Sequence, residues 1–140
     1  MAKYPPKEVI ARRIAHEIRD GQIVNLGAGI PSMVANFIPG DIDILIHSEN
    51  GILGATGPVD RALRDPMLVN AGNEYIHTVP GASFFGSAMS FGMMRGGHLD
   101  VTILGALQVD EQGNLANWWV EGSPLIGMGG AMDLVTGTKN

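Results

Sequence analysis

The stretch HSENGILG at 47–54 sets one carboxylate, Glu49, between Ser48 and Asn50, after an apolar run and ahead of glycines at 51, 54 and 57. A carboxylate in such a place can serve as a general base or as a covalent nucleophile. No second acidic residue lies close by in sequence to complete a hydrolytic acid and base pair. The plain alternative is that Ser48 caps a helix and Glu49 complements its dipole. If DIDILIHS (41–48) is instead a strand of a parallel sheet, Glu49 stands at its carboxyl end, where open α/β sheets bind ligands. Both readings stand on these residues alone.

Two glycine loops could supply the other half of a site. NLGAGIPS (25–32) passes from a strand through G-x-G into a helix start, a way to hold an anion on backbone amides. Ser32 occupies the place of the third glycine of the dinucleotide fingerprint, which disfavours a Rossmann cofactor site. An unliganded strand-to-helix turn is the simple alternative. Asn25, just before Gly27 and Gly29, is better placed to touch a ligand than to serve the core. GMGGAMDL (127–134) has three glycines within four residues, and their N–H groups could form a nest for an oxyanion. A plain turn would look the same. Glu49 and this late loop become informative only together.

The four histidines (16, 47, 77 and 98) show neither HxH nor HExxH spacing, so no metal site is expected. His47, two residues before Glu49, is expected to face away from it and to be structural. The chain has no cysteine, which removes disulfides, thiolate nucleophiles and cysteine-based zinc sites.

Strands and helices must position these groups. Val9, Ile10, Ile14 and Ile18 recur at helical spacing over 7–20, with Gly21 as a stop. QIVNL (22–26) predicts a buried strand and PSMVANFI (31–38) a helix with proline in its first turn. DIDILIHS predicts the second strand, followed by a loop rich in Gly and Pro, then strands at MLVN and EYIHTV. GASFFGSAMSFGMMRGG predicts a buried helix, and its Met and Phe residues read as core or subunit interface. LDVTILGALQV (99–109) predicts a strand, DEQGN a turn and LANWWV a short strand with one tryptophan inward and one outward. DLVTGTKN sounds like a strand and turn. The apolar strands alternating with helices give an α/β fold with an open, mostly parallel sheet flanked by helices.

Composition sets the outer bounds. Residues 1–140 are a comfortable length for a single domain, and 45% of them are apolar. Nine basic residues against 14 acidic give a formal charge of −5, with no basic block to neutralise phosphates, so no nucleic-acid partner is expected. No run approaches the roughly 18 apolar residues of a membrane span, and the N-terminus lacks signal-peptide character. The expectation is a cytoplasmic protein with no membrane partner. Twenty glycines, against about 7% in average usage, punctuate apolar segments. Low surface charge with many Gly and Met residues suggests that another chain covers part of the exterior.

Taken in order, NLGAGIPSMVANFIP, SENGILG, VNAG, PGASFF, MMRGGHLD, LGALQV, GNLANW and GMGGAMDLV resemble the β subunit of the family I 3-oxoacid CoA-transferases. That family includes succinyl-CoA:3-ketoacid, acetate/butyrate–acetoacetate and 3-oxoadipate CoA-transferases. The resemblance covers nearly the whole chain and implies the CoA-transferase α/β fold. It makes Glu49 the nucleophile of a ping-pong transfer of CoA between short carboxylic acids through a glutamyl-CoA thioester. It implies that Gly130 and Ala131 of the late loop, with Gly129, serve the oxyanion. Asn25, Gly27 and Gly29 of the first loop, Asn50 and Gly51 after the glutamate, and Asn73 after VNAG are the other candidate substrate contacts.

The resemblance further implies no permanently bound cofactor, with coenzyme A as a substrate. It implies an α subunit as partner in a heterotetramer of two α and two β chains. The family's β subunit continues beyond the equivalent of Asn140, so the chain is expected to be an incomplete domain.

Three departures from the family pattern stand out. Asn73 and the positions of Ser123 and Ile126 lack lysines found in many relatives, which weakens the case for a dicarboxylate such as succinate. GILGATGP is one residue longer than the usual GILGLGP. An alternative remains a phosphosugar isomerase or deaminase using Glu49 for proton transfer, and another is a non-catalytic partner chain.

Overall fold

The computed structural model describes residues 4–125 and 127–139, so Ile126 lies outside the described residues. Helix α1 covers Pro6–Ala15 and leads into strand β1, Ile23–Leu26. Helix α2, Ile30–Met33, continues as a 3-10 turn over Val34–Phe37 before strand β2, Leu45–Ser48. Strands β3, Ile52–Pro58, and β4, Ile76–Phe84, come next, with a short 3-10 turn at Arg61–Leu63 between them. Helix α3, Ser87–Arg95, returns the chain to β5, Val101–Ile103. A small hairpin, β6 (Gln108–Val109) and β7 (Leu115–Ala116), precedes helix α4, Ala131–Gly137.

The main sheet has the order β4-β3-β2-β1-β5. β1 pairs in parallel with both β2 and β5, whereas β3 runs antiparallel to β2 and to β4. Four of the five strands therefore point one way and β3 is the exception. Alternation along the strands sorts the two faces. Val24, Leu26, Val101 and Ile103 pack with Ala11, Ala15 and Ile18 from the α1 side and with Val34. On the opposite face Ile23 joins Met94 of α3, Leu99 and Leu134 of α4. Helices thus cover both faces, as the alternating apolar pattern requires.

Several local expectations are corrected. The first helix stops at Ala15, because Glu17 and Ile18 donate three residues back, to Ile14 and Ala15, in tightening turns. Its buried stripe is Ala11 and Ala15, and Val9 and Ile10 are each 47% exposed. GILGATGP, taken for part of a loop, is strand β3. Ile46 pairs with Ala55 and His47 with Leu53, so Gly54 is left between them as a bulge at φ +93°.

Residues 81–84 of the segment expected as helix extend β4 instead, and α3 begins only at Ser87. The expected strand over 99–109 keeps three residues in the sheet and then breaks at Leu104 and Gly105. DLVTGTKN, expected as a strand and turn, is helical up to Gly137 as part of α4. Trp118 and Trp119 lie past the end of β7 and both are exposed, with rings 6.1 Å apart.

Candidate active site

The parallel strands β1, β2 and β5 end side by side, and the residues just past each end face one cavity of about 390 Å³. Gly27 and Ala28 come from β1, Glu49 from β2, and Leu104 and Gly105 from β5. Ala71 and Gly72 close one side, and the 127–131 loop closes another. This is the crevice at the carboxyl edge that open α/β sheets use for ligands.

Glu49 is held by a tight turn rather than by a helix, so Ser48 caps nothing. Gly51 N–H donates to Ser48 O at 2.9 Å, closing the turn. The Ser48 hydroxyl accepts from Ala71 N–H at 3.0 Å, and Asn50 Nδ2 donates to Val69 O at 2.9 Å. Gly51 adopts φ +111°, and a side chain there would collide with the carbonyl oxygen of Phe85. Phe85 N–H in turn donates to Gly51 O at 2.9 Å. The turn is pinned on both flanks, which aims the glutamate.

The Glu49 carboxylate points at the late glycine loop. A methyl group built on Gly130 would overlap its Oε2, 3.2 Å from its Cδ and 3.3 Å from the Phe91 ring. A side chain at Gly130 would push the carboxylate out of this place, so the glycine lets loop and carboxylate meet as they do. Glu49 is half-buried, and that burial pushes its carboxyl above the ordinary carboxylate range. A partly desolvated carboxylate beside a glycine backbone suits attack on a carbonyl whose oxygen then gains charge.

The structure brings together Asn25, Gly27, Glu49, Gly129, Gly130 and Ala131 on the cavity wall. Others of the expected contacts are placed as supports. Asn50 and Gly51 build the turn beneath Glu49. Gly29, at φ +82°, starts α2, and its carbonyl accepts from the Ser32 hydroxyl. Asn73 takes φ +59°, with its N–H donating to Asn70 O, in a loop whose Ala71 and Gly72 line the cavity instead. Ala131 N–H donates to Met128 O at 3.2 Å within the late loop.

His47 does not face away from Glu49. His47 bonds to Ser90 of α3, and the Glu49 carboxylate meets Gly130 at the start of α4, which packs with α3 on that same face of the sheet. The polar partners Ser90 and Thr102 carry no signal of their own in the sequence; the i, i+2 spacing of His47 and Glu49 is the available one. Among the described residues no cluster of His, Asp or Glu could hold a metal ion, and no helix is long and apolar enough to cross a membrane.

The chain matches the family model described as Coenzyme A transferase over residues 7–140. It is 59% identical over 133 residues to the acetate CoA-transferase subunit beta of Escherichia coli K12, covering 95% of this chain and 60% of that protein. It is 51% identical over 134 residues to a subunit of the succinyl-CoA:3-ketoacid coenzyme A transferase of Helicobacter pylori, covering 95% and 64%. The chain thus spans about 60% of the length of the curated relatives it matches.

Glutaconate coenzyme A-transferase from Acidaminococcus fermentans superposes with TM-score 0.70 at 22% identity, covering 97% of this chain and 55% of that one. An acyl-CoA transferase of Escherichia coli O157:H7, solved as a thioester complex with CoA, gives 0.69 at 22%, covering 99% and 25%. These two show the shared fold, and the sequence matches go further: the chain belongs to the Coenzyme A transferase family.

Proposed function

We propose that this chain carries the nucleophile of a CoA-transferase β subunit, with Glu49 as that nucleophile. The observation that carries the reading is the half-buried Glu49 carboxylate set against the Gly130 backbone at the carboxyl ends of three parallel strands. In the proposed sequence, a Glu49 oxygen attacks the acyl-CoA thioester carbonyl and expels CoA thiolate, leaving a mixed anhydride. The thiolate attacks the glutamyl carbonyl, releases the donor acid as its carboxylate and leaves a glutamyl-CoA thioester. The acceptor carboxylate reverses both steps and regenerates Glu49. A carboxylate suits this role because its anhydride and thioester both remain reactive, where a serine would give an inert ester.

Each tetrahedral intermediate places negative charge on an oxygen near the glutamate. With Ala131 N–H turned to Met128, the amides of Gly129 and Gly130 are the donors we assign to that oxygen. Asn25, on the cavity floor, is assigned a contact to substrate. Glu49 is the one ionisable side chain among the described residues lining the cavity, which suits short monocarboxylic acids, one a 3-oxoacid, better than dicarboxylates. The exposed Met89, Met128, Met132 and Phe84 support a partner on the α3 and α4 side, for which we assign an α subunit in a two-plus-two heterotetramer. The family match favours acyl transfer over phosphosugar chemistry.

The test uses the full-length subunit with its partner and a panel of acyl-CoA donors and short acids. Parallel double-reciprocal lines, the mark of a covalent intermediate, are expected. Intersecting lines would contradict the reading.

A further inference from the structure

A row of polar side chains lies buried across three strands below Glu49, and apart from the contact assigned to Asn25 the proposed transfer chemistry uses none of it. Thr102 of β5, Asn25 of β1 and His47 of β2 are register neighbours on one face of the sheet. Ser90 of α3 closes the row from above. Asn25, His47 and Ser90 are at most 2% exposed. Burying polar groups costs several kcal/mol unless each finds a partner, and here each does.

Donor and acceptor chemistry fixes the row atom by atom. Asn25 Nδ2 lies 3.3 Å from the backbone carbonyl of His47, which can only accept. The amide nitrogen, not the amide oxygen, must therefore face β2. The same Nδ2 is 3.0 Å from His47 Nδ1, so Nδ1 must be the bare ring nitrogen. The ring proton then sits on Nε2 and donates to Ser90 Oγ at 3.0 Å. On the other side the Thr102 hydroxyl donates to Asn25 Oδ1 at 3.4 Å. Both amide hydrogens of Asn25 are committed toward β2, and its oxygen is held toward β5 with one lone pair left for the contact to substrate assigned above.

We propose that His47 is a positioning residue: its neutral, Nε2-protonated imidazole clamps the Asn25 amide in one orientation at the cavity floor. A satisfied buried row of this kind rigidifies what it holds. The groups packed on the imidazole are Asn25 of β1, Ser90 of α3 and Phe85 of the β4–α3 link, none of them charged. Glu49, in the turn after β2, is the titratable residue nearest to it along the chain. Burial holds the imidazole neutral, with its titration lowered to about 4. A protonated ring would turn Nδ1 into a donor facing a donor, and the amide could no longer keep its place.

The experiment has two arms on the full-length complex, and only the kinetic arm rests on the transferase reading. In the first, the nitrogen-15 spectrum of histidine-labelled protein is compared with that of His47→Gln to assign the His47 signals. A proton on Nε2 and a bare Nδ1 at neutral pH are expected; a proton on Nδ1 overturns the proposal whatever the enzyme does.

In the second, kcat and KM are measured for wild type, His47→Ala, His47→Gln, Asn25→Ala and the Asn25→Ala/His47→Ala double variant. His47→Ala is expected to lower kcat by about tenfold or more with a smaller change in KM, the usual scale for a misplaced contact group. His47→Gln, which keeps one acceptor and one donor without a charge, is expected to restore most of it. In the Asn25→Ala background the loss of His47 should add nothing further. Losses that multiply, or a glutamine variant as impaired as the alanine variant, would overturn the clamp. A wild-type complex that moves no CoA would sink the functional reading and leave the tautomer result to decide the clamp.

Discussion

The Glu49 carboxylate occupies the space that a side chain on Gly130 would need. The two residues are 81 positions apart, brought together because β2 ends and α4 begins at the same edge of the sheet. Gly130 itself has φ −84°, a conformation open to any residue. Gly130→Ala should therefore fold normally and act on the site alone. We expect kcat/KM to fall on the order of 100-fold by displacement of the nucleophile, with an unchanged melting curve. Steady-state kinetics alongside thermal unfolding checks both halves.

The raised titration of Glu49 has two consequences of opposite appearance. In the proposed role Glu49 must be ionised, so kcat/KM should fall as pH drops, with a midpoint above the ordinary carboxylate value of 4.5. Stability runs the other way. The folded state holds this proton more tightly than the unfolded one, so stability drops as pH rises from 4.5 through the raised folded value, and the cost is complete above it. Glu49→Gln removes that cost. Melting curves should show the glutamine variant gaining on wild type as pH rises from 4.5 through the raised folded value, then keeping a constant lead.

His47 contributes in the opposite sense. Its titration falls from 6.5 to about 4 on folding because burial disfavours the charged ring. The unfolded chain therefore binds the extra proton first. Stability from this group is complete above pH 6.5, is lost as pH falls, and is exhausted near pH 4. The difference corresponds to about 3 kcal/mol. Denaturant titrations at about pH 7 and about pH 4.5 should show the loss in wild type and a flatter dependence in His47→Gln.

The turn beneath Glu49 rests on Gly51, whose φ of +111° and contact with Phe85 O leave no room for a side chain. Gly51→Ala should destabilise the domain by about 3 kcal/mol or more, combining backbone strain with a steric clash. Chemical denaturation measures it, and a variant as stable as wild type would show that the turn is not under this constraint.

Most of what positions the site was readable where one apolar run met one turn signal. QIVNL, the second half of DIDILIHS and the proline start of α2 carried their structure locally, whereas residues 41–44 of the expected strand lie outside β2, Leu45–Ser48. The position of Glu49 at the end of β2 was one of the two readings that those residues allowed. What sequence hid was whatever depended on distant partners. Gly54 and Gly57 made β3 look like a loop, because bulges and close packing against Ala35 and Val79 are invisible along the chain. The end of α1 at Ala15 is set by the turn after it and not by any break in periodicity. The Thr102, Asn25, His47 and Ser90 row spans strands that pair in parallel, so no local spacing announces it.

The most direct measurement of the central claim is covalent. The full-length complex is incubated with acyl-CoA in the absence of acceptor acid, digested and read by mass spectrometry. The expected result is CoA attached as a thioester to the peptide containing Glu49, absent in Glu49→Ala and removed when an acceptor acid is added. CoA retained by Glu49→Ala, or an adduct on a residue other than Glu49, would contradict it.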